Sequence, residues 1–264
     1  MTSIYGRVGW VAGACLLLLS GGCQLGLMPS QPPTRPPATS TRRDQLNQAG
    51  VQKAQAGDYA AAIQLLTQAI ELAPQDAELY YNRGSVYGDM GQHQEAVRDF
   101  TKAIQLQPTF AEAYNNRGIT YARGRNYAQA IADFSRAIQI NPDFTDAYIN
   151  RVKAYRLQGN YQAALADCNA LLQKQPQLAQ GYYQRGSTWL AMKAYRKALA
   201  DLDTALRYNP QLAAAYAQKG VAHRALGERQ QAVEAWQQAA QLFKQQNDRD
   251  GLAQVTRLLQ QLVR

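Results

Sequence analysis

Every thirty-four residues the chain repeats itself, and this period limits its possible folds more than any other feature. With repeats set at 43–76, 77–110, 111–144, 145–178, 179–212 and 213–246, a glycine column runs through Gly50, Gly84, Gly118, Gly186 and Gly220. Val152 alone interrupts it. An alanine column is unbroken through Ala62, Ala96, Ala130, Ala164, Ala198 and Ala232. A second holds Ala69, Ala103, Ala137, Ala205 and Ala239, with Leu171 as its exception, and prolines close five repeats at Pro74, Pro108, Pro142, Pro176 and Pro210.

Each column has a physical reason. In the second repeat Tyr80, Gly84 and Tyr87 fall at i, i+4 and i+7, one face of a first helix. Ala96, Phe100 and Ala103 do the same on a second helix, after a turn at Gly91 and Gln92. Small residues at Gly84 and Ala96 let two helices approach closely, while Phe100 and Tyr87 fill the space beside them. Pro108 lacks a backbone donor and stops the second helix. A lone helical pair leaves an apolar face wet, so stability must come from stacked neighbours. These columns resemble the tetratricopeptide family, whose motif sets a large residue, Gly, Tyr, Ala, an aromatic, Ala and Pro in that order. The resemblance implies an all-α, right-handed superhelical solenoid of six helix-turn-helix repeats over 43–246. After Gln246 the period ends, and Asp250 is expected to cap a last helix whose Leu252, Val255, Leu258, Leu259 and Leu262 form one apolar stripe. Residues 247–264 read as the cap that covers the sixth repeat.

Ahead of the repeats, Val8–Gly22 is a short apolar run behind Arg7, shorter than the roughly 20 residues of a membrane span. A basic start, an apolar middle and small residues before a break are the layout of a secretory signal, here residues 1–22. Leu19-Ser20-Gly21-Gly22-Cys23 resembles a bacterial lipoprotein signal, although Ser20 stands where a leucine is usual. That resemblance implies cleavage before Cys23, lipid attachment to its thiol, and export to a membrane surface on the periplasmic or outer face. An ordinary cleaved signal or an uncleaved anchor is the alternative. Residues 23–42, with Pro29, Pro32, Pro33, Pro36 and Pro37 among Ser, Thr and Gln, read as an extended disordered tether.

The formal charge of +9 is concentrated at this end. Residues 1–43 hold four basic residues and no acid, leaving 24 basic against 19 acidic over residues 44–264. A small excess spread along an array argues against nucleic acid as a partner. The sequence offers no Cys/His spacing for zinc, no phosphate-cradling glycine loop, and no cofactor motif. His93 and His223 occupy columns of packing aromatics, and Cys168 a column of large apolar residues. Arg83, Arg117, Arg151 and Arg185 recur with Asp99, Asp133, Asp167 and Asp201 sixteen residues later, which reads as ion pairs inside the stack. The outer repeats lose both members, Ala49 with Leu65 and Lys219 with Ala235. No catalytic set emerges, and the expected role is to hold a protein or peptide partner.

In the resembled family the first helices line a concave groove, and in some members an asparagine ladder holds an extended peptide backbone. Asn82, Asn116 and Asn150, continued by Gln184 and Gln218, resemble such a ladder, with Ser85, Arg123 and Lys153 on the same face. An amide offers both donor and acceptor, which suits a main chain of any sequence. A solvated polar helix face is the alternative reading. The carboxylate clamp of chaperone-binding members is not expected. Lys153, Arg156, Arg123 and Arg224 are offset by Glu112, Asp146 and Asp89, and the lysine–asparagine pair on one helix is missing.

Overall fold

The computed structural model describes residues 38–263, which contain thirteen α-helices and no strand. The expected signal sequence, Cys23 and most of the expected tether lie outside the described residues. In chain order the helices are α1 (Ala38–Gln55), α2 (Tyr59–Leu72), α3 (Ala77–Asp89), α4 (His93–Leu106), α5 (Ala111–Arg123), α6 (Tyr127–Ile140), α7 (Thr145–Gln158), α8 (Tyr161–Lys174), α9 (Ala179–Ala191), α10 (Tyr195–Tyr208), α11 (Ala213–Ala225), α12 (Arg229–Gln245) and α13 (Arg249–Val263). Odd and even members through α12 are the first and second helices of the six repeats. Helix α1 starts at Ala38, so Ala38–Arg42 are helical although the sequence reads them as the end of the tether.

The turn inside each repeat is set by one backbone conformation. Gly57, Gly91, Gly159 and Gly227 have φ of 82, 74, 85 and 80°, a left-handed region glycine enters without a Cβ penalty. In the third and fifth repeats Arg125 and Lys193 take the same position at φ 60 and 59°. The next residue is the cap just before the second helix, and Asp58, Asn126 and Asn160 there accept the backbone N–H of Ala61, Gln129 and Ala163.

Two compact bodies divide the chain, one through Thr120 and one from Tyr121. In the N-terminal body α1 packs on α2, α2 on α3 and α3 on α4. Leu66 and Phe100 are fully buried, and a Cβ placed on Gly84 would stand 3.1 Å from the Phe100 ring. In the C-terminal body the helices from α6 to α13 pack consecutively, and α9 also touches α7 and α11. Here Gly186 faces Leu202, and Gly220 lies so close to Trp236 that a Cβ would fall 2.3 Å from its Nε1. The Trp236 indole N–H donates to the Ala217 carbonyl at 3.0 Å. Where Val152 replaces glycine, the facing column holds Cys168, and both are fully buried in one cluster. Burial pushes the Cys168 thiol up to about 12, with Asp167 adding to the shift and Arg185 and Arg156 opposing it, so it stays a protonated apolar filler.

Helix α13 packs on α12 through fully buried Val255, with Leu252, Leu258 and Leu259 beside it. Its start is capped by Asp248, which accepts the Gly251 N–H at 2.9 Å, and not by Asp250 as expected. Asn247 turns the chain with φ 57°, so the helix starts at Arg249 and Asp250 falls within its first turn.

Candidate partner-binding face

Three of the expected Arg–Asp pairs are present as double hydrogen bonds, Arg83 with Asp99, Arg151 with Asp167 and Arg185 with Asp201, at 2.7–2.9 Å. Each arginine spends its remaining Nη1 sixteen residues back, on Thr67 for Arg83, Ser135 for Arg151 and Asn169 for Arg185. Arg117 reaches Thr101 in the same way. One guanidinium therefore ties its own second helix to that of the preceding repeat, an arrangement its five fixed donors suit. Neighbouring rings complete the site: Arg83 lies over Tyr80 and Tyr87, Arg151 over Tyr148 and Tyr155. Hydrogen bonds donated to Asp99 hold the Arg83 guanidinium above its ordinary range against the opposing loss of water. The backward contact also corrects the expectation for the last repeat. Lys219 has Ala235 ahead of it, but its ammonium pairs with Asp203 behind it at 2.6 Å. The backward column of Thr67, Thr101, Ser135, Asn169 and Asp203 is visible in the sequence and carries this signal.

His223 Nδ1 contacts Glu228 Oε2 at 2.6 Å across the turn of the sixth repeat. Among the described residues no group of three His, Cys, Asp or Glu side chains could hold a metal ion, and no helix is long and apolar enough to cross a membrane.

The amide column is largely occupied by the array itself. Asn82 Nδ2 donates to Asn47 Oδ1 at 2.9 Å, Asn116 Nδ2 to the Tyr81 hydroxyl at 3.1 Å, and Gln218 Nε2 to the Tyr183 hydroxyl at 3.1 Å. Each partner lies 35 residues earlier, on the preceding first helix. Gln218 Oε1 also accepts from Ser187 Oγ at 2.6 Å. Asn116 and Gln184 are buried; Asn82, Asn150 and Gln218 are partly covered. These amides stitch neighbouring first helices, whereas a ladder for a ligand's main chain needs amides free to face it. The sequence places each amide on a helix face but does not show that Asn82, Asn116 and Gln218 bond the preceding first helix. Burial raises the Tyr81 phenol to about 12, with Glu112 adding to it and the Asn116 and Ser85 hydrogen bonds opposing it. Ser85 Oγ donates to the Tyr81 carbonyl in its own helix at 2.9 Å. Arg123 is half-buried at the end of α5.

Lys153 differs from these. It reaches water, yet enough protein surrounds it to lower its ordinary range by loss of solvent, with Arg156 lowering it further and Asp146 opposing. Arg156 is likewise lowered by burial, against the partial opposition of Tyr183, Cys168 and Tyr161.

Helix pairs closed by a left-handed turn, small residues at the crossing and a period of thirty-four residues define a helical repeat array. Residues 77–110 and 111–144 match the model of the tetratricopeptide repeat, and residues 52–91 that of the TPR repeat. The matched stretch, residues 52–144, is similar to tetratricopeptide repeats. No curated protein sequence matches the chain. A tetratricopeptide repeat protein from Parabacteroides merdae is 21% identical, with 87% of each chain covered and a TM-score of 0.68. PilW, a widely conserved type IV pilus biogenesis factor, is 22% identical over 81% of this chain and 98% of its own, with a TM-score of 0.68. YrrB, a TPR protein with an unusual peptide-binding site, is 20% identical over 73% of this chain and 97% of its own, with a TM-score of 0.52. These likenesses are of fold.

Proposed function

We propose that this protein is a non-catalytic scaffold that holds a peptide or protein segment on its first-helix face, exported and anchored to a membrane by a lipid on Cys23. The observation that carries the scaffold reading is where the charged groups go. Asp99, Asp167 and Asp201 are each committed to a repeat arginine that also bonds the preceding second helix, so the carboxylates that could serve as acids or bases hold the stack instead. A scaffold works through preorganised contacts and through the local concentration a tether provides. PilW is a type IV pilus biogenesis factor and YrrB has an unusual peptide-binding site, and the scaffold reading sets this chain beside them. The anchor rests on the run from Leu19 to Cys23 and on the proline-rich stretch behind it.

Two measurements test the two halves. A photo-crosslinking residue in place of Ser85 or Leu157, on first helices, is expected to trap a defined protein partner in cells. The same residue at Gln105, exposed on the second helix α4, is expected to trap none. Equal yields from the three positions would remove the first-helix face from the reading. The intact mass of the native N-terminus decides the anchor: cleavage before Cys23 with added acyl mass supports it, and an unmodified or uncleaved terminus ends it.

A further inference from the structure

The C-terminal body contains polar groups that the bonding of the array leaves over. On α7, Ile149, Lys153 and Arg156 stand at i, i+4 and i+7 and share one stripe, and Leu157 continues it one turn beyond Lys153. The repeat arginine of the same helix, Arg151, has a carboxylate and a hydroxyl; Arg156 has no ion pair, and its buried Nη1 finds no acceptor. On α9, which packs against α7, Gln184 is 2% exposed and its Oε1 finds no donor. The 35-residue stitch explains that orphan: the position that should serve Gln184 holds Ile149, a hydrocarbon. A buried donor and a buried acceptor left unbonded each cost free energy that a ligand can recover. Asp146 is the acid that acts on Lys153, one carboxylate against the two cations. Leu157, 61% exposed, is the most exposed of the large apolar side chains among the described residues.

We infer that Lys153, Arg156 and Leu157 of α7, with Gln184 of α9, bind an extended acidic peptide segment. A carboxylate side chain of the segment engages Arg156 and Lys153, a neighbouring main-chain N–H donates to Gln184 Oε1, and an adjacent apolar residue covers Leu157. The inference rests on the reading that the first-helix face holds a peptide and names that peptide's chemistry. A fully ionised phosphate offers acceptors alone, so it satisfies the cations but neither Gln184 Oε1 nor Leu157. Arg156 Nη1 and Gln184 Oε1 are both covered in the free chain, so binding requires both side chains to swing outward, a motion their several rotatable bonds permit.

The test is selection of loop-displayed random peptides on the purified protein, followed by affinity measurement on the best sequence. Loop display leaves no free C-terminus, so any carboxylate selected comes from a side chain. Expected are sequences with Asp or Glu beside a large apolar residue. Binding should weaken about tenfold in Arg156→Gln and in Lys153→Gln, and further as salt is raised. Leu157→Ser, at an exposed position that leaves folding intact, should weaken it about threefold. Gln184→Leu separates binding from architecture: it should weaken the peptide without lowering the melting temperature, because it removes an unbonded buried group. Selected peptides without acidic residues, or affinity unchanged in the Arg156 and Lys153 variants, would overturn the inference and leave the scaffold reading standing. Equal competition by millimolar inorganic phosphate would reduce the site to a simple anion trap and overturn it too. Failure to select any peptide would end both readings.

Discussion

The fourth and sixth repeats solve one packing problem in opposite ways. In the sixth, Gly220 on α11 vanishes so that Trp236 on α12 can occupy the crossing and donate its indole N–H to Ala217. In the fourth, Val152 on α7 supplies the bulk and Cys168 on α8 withdraws. The crossing needs a given volume and is indifferent to which helix provides it. Their charges differ in the same spirit: Arg151 clamps a carboxylate ahead of it and a hydroxyl behind, whereas Lys219 pairs only with the carboxylate behind.

The largest effect should come from adding one carbon to the sixth repeat. A Cβ at residue 220 would stand 2.3 Å from Trp236 Nε1, so Gly220→Ala must displace the indole and break its bond to Ala217. Overpacking of this severity costs about 3 kcal/mol, a fall of roughly 6–12 °C in melting temperature. Thermal unfolding that matches the parent would show that the crossing has slack.

Next in size is the charge contrast. Arg151 and Asp167 are mostly covered, and Arg151→Ala strands a carboxylate with little access to water. The expected loss is about 2–3 kcal/mol, with much of it recovered when Asp167→Ala is added. Lys219→Ala should cost well under about 1 kcal/mol, because Asp203 is 58% exposed and water replaces its partner. Equal losses for Arg151→Ala and Lys219→Ala in denaturant titrations would erase the distinction between the clamp and the surface pair.

Exchanging the two packing solutions sharpens the comparison further. Cys168→Phe alone forces a ring against Val152, and Val152→Gly alone leaves a gap and a helix-weakening glycine, each costing about 2 kcal/mol. Together they rebuild the Gly84–Phe100 arrangement found in the second repeat, and the double variant should lose less than the sum by about 1–2 kcal/mol. Strict additivity would mean that the two columns do not exchange volume.

The repeat pattern exposes the helices, the crossings and the clamp arginines because a local spacing dictates each of them. Val152 and Cys168 each look like an exception in their own column; only the packing shows that one exception answers the other. The amides are legible as a column but not as a stitch. The contact of Asn116 with the Tyr81 hydroxyl joins residues 35 apart, and its direction depends on how one repeat steps onto the next. Asp203 is legible in its backward column, but a sixteen-residue look forward from Lys219 finds only Ala235 and misses it. Arg156 is visible as a cation, but the absence of an acceptor at its Nη1 exists only once neighbouring helices surround it.

The smallest effect lies in the turns, where the fourth repeat again has a counterpart. Gly159 takes φ 85° before α8 at no steric cost, while Lys193 holds φ 59° before α10 with a Cβ in the way. A left-handed L-residue costs about 1–2 kcal/mol, of which glycine's greater freedom in the unfolded chain returns part. Lys193→Gly should therefore gain about 0.5 kcal/mol, a rise of roughly 1–2 °C in melting temperature. Gly159→Ala should lose about 1 kcal/mol, since a Cβ there meets nothing within 4 Å and only the backbone strain is charged. If Lys193→Gly lowers the melting temperature instead, the lysine side chain contributes more to that turn than its backbone costs, and the two turns are not equivalent.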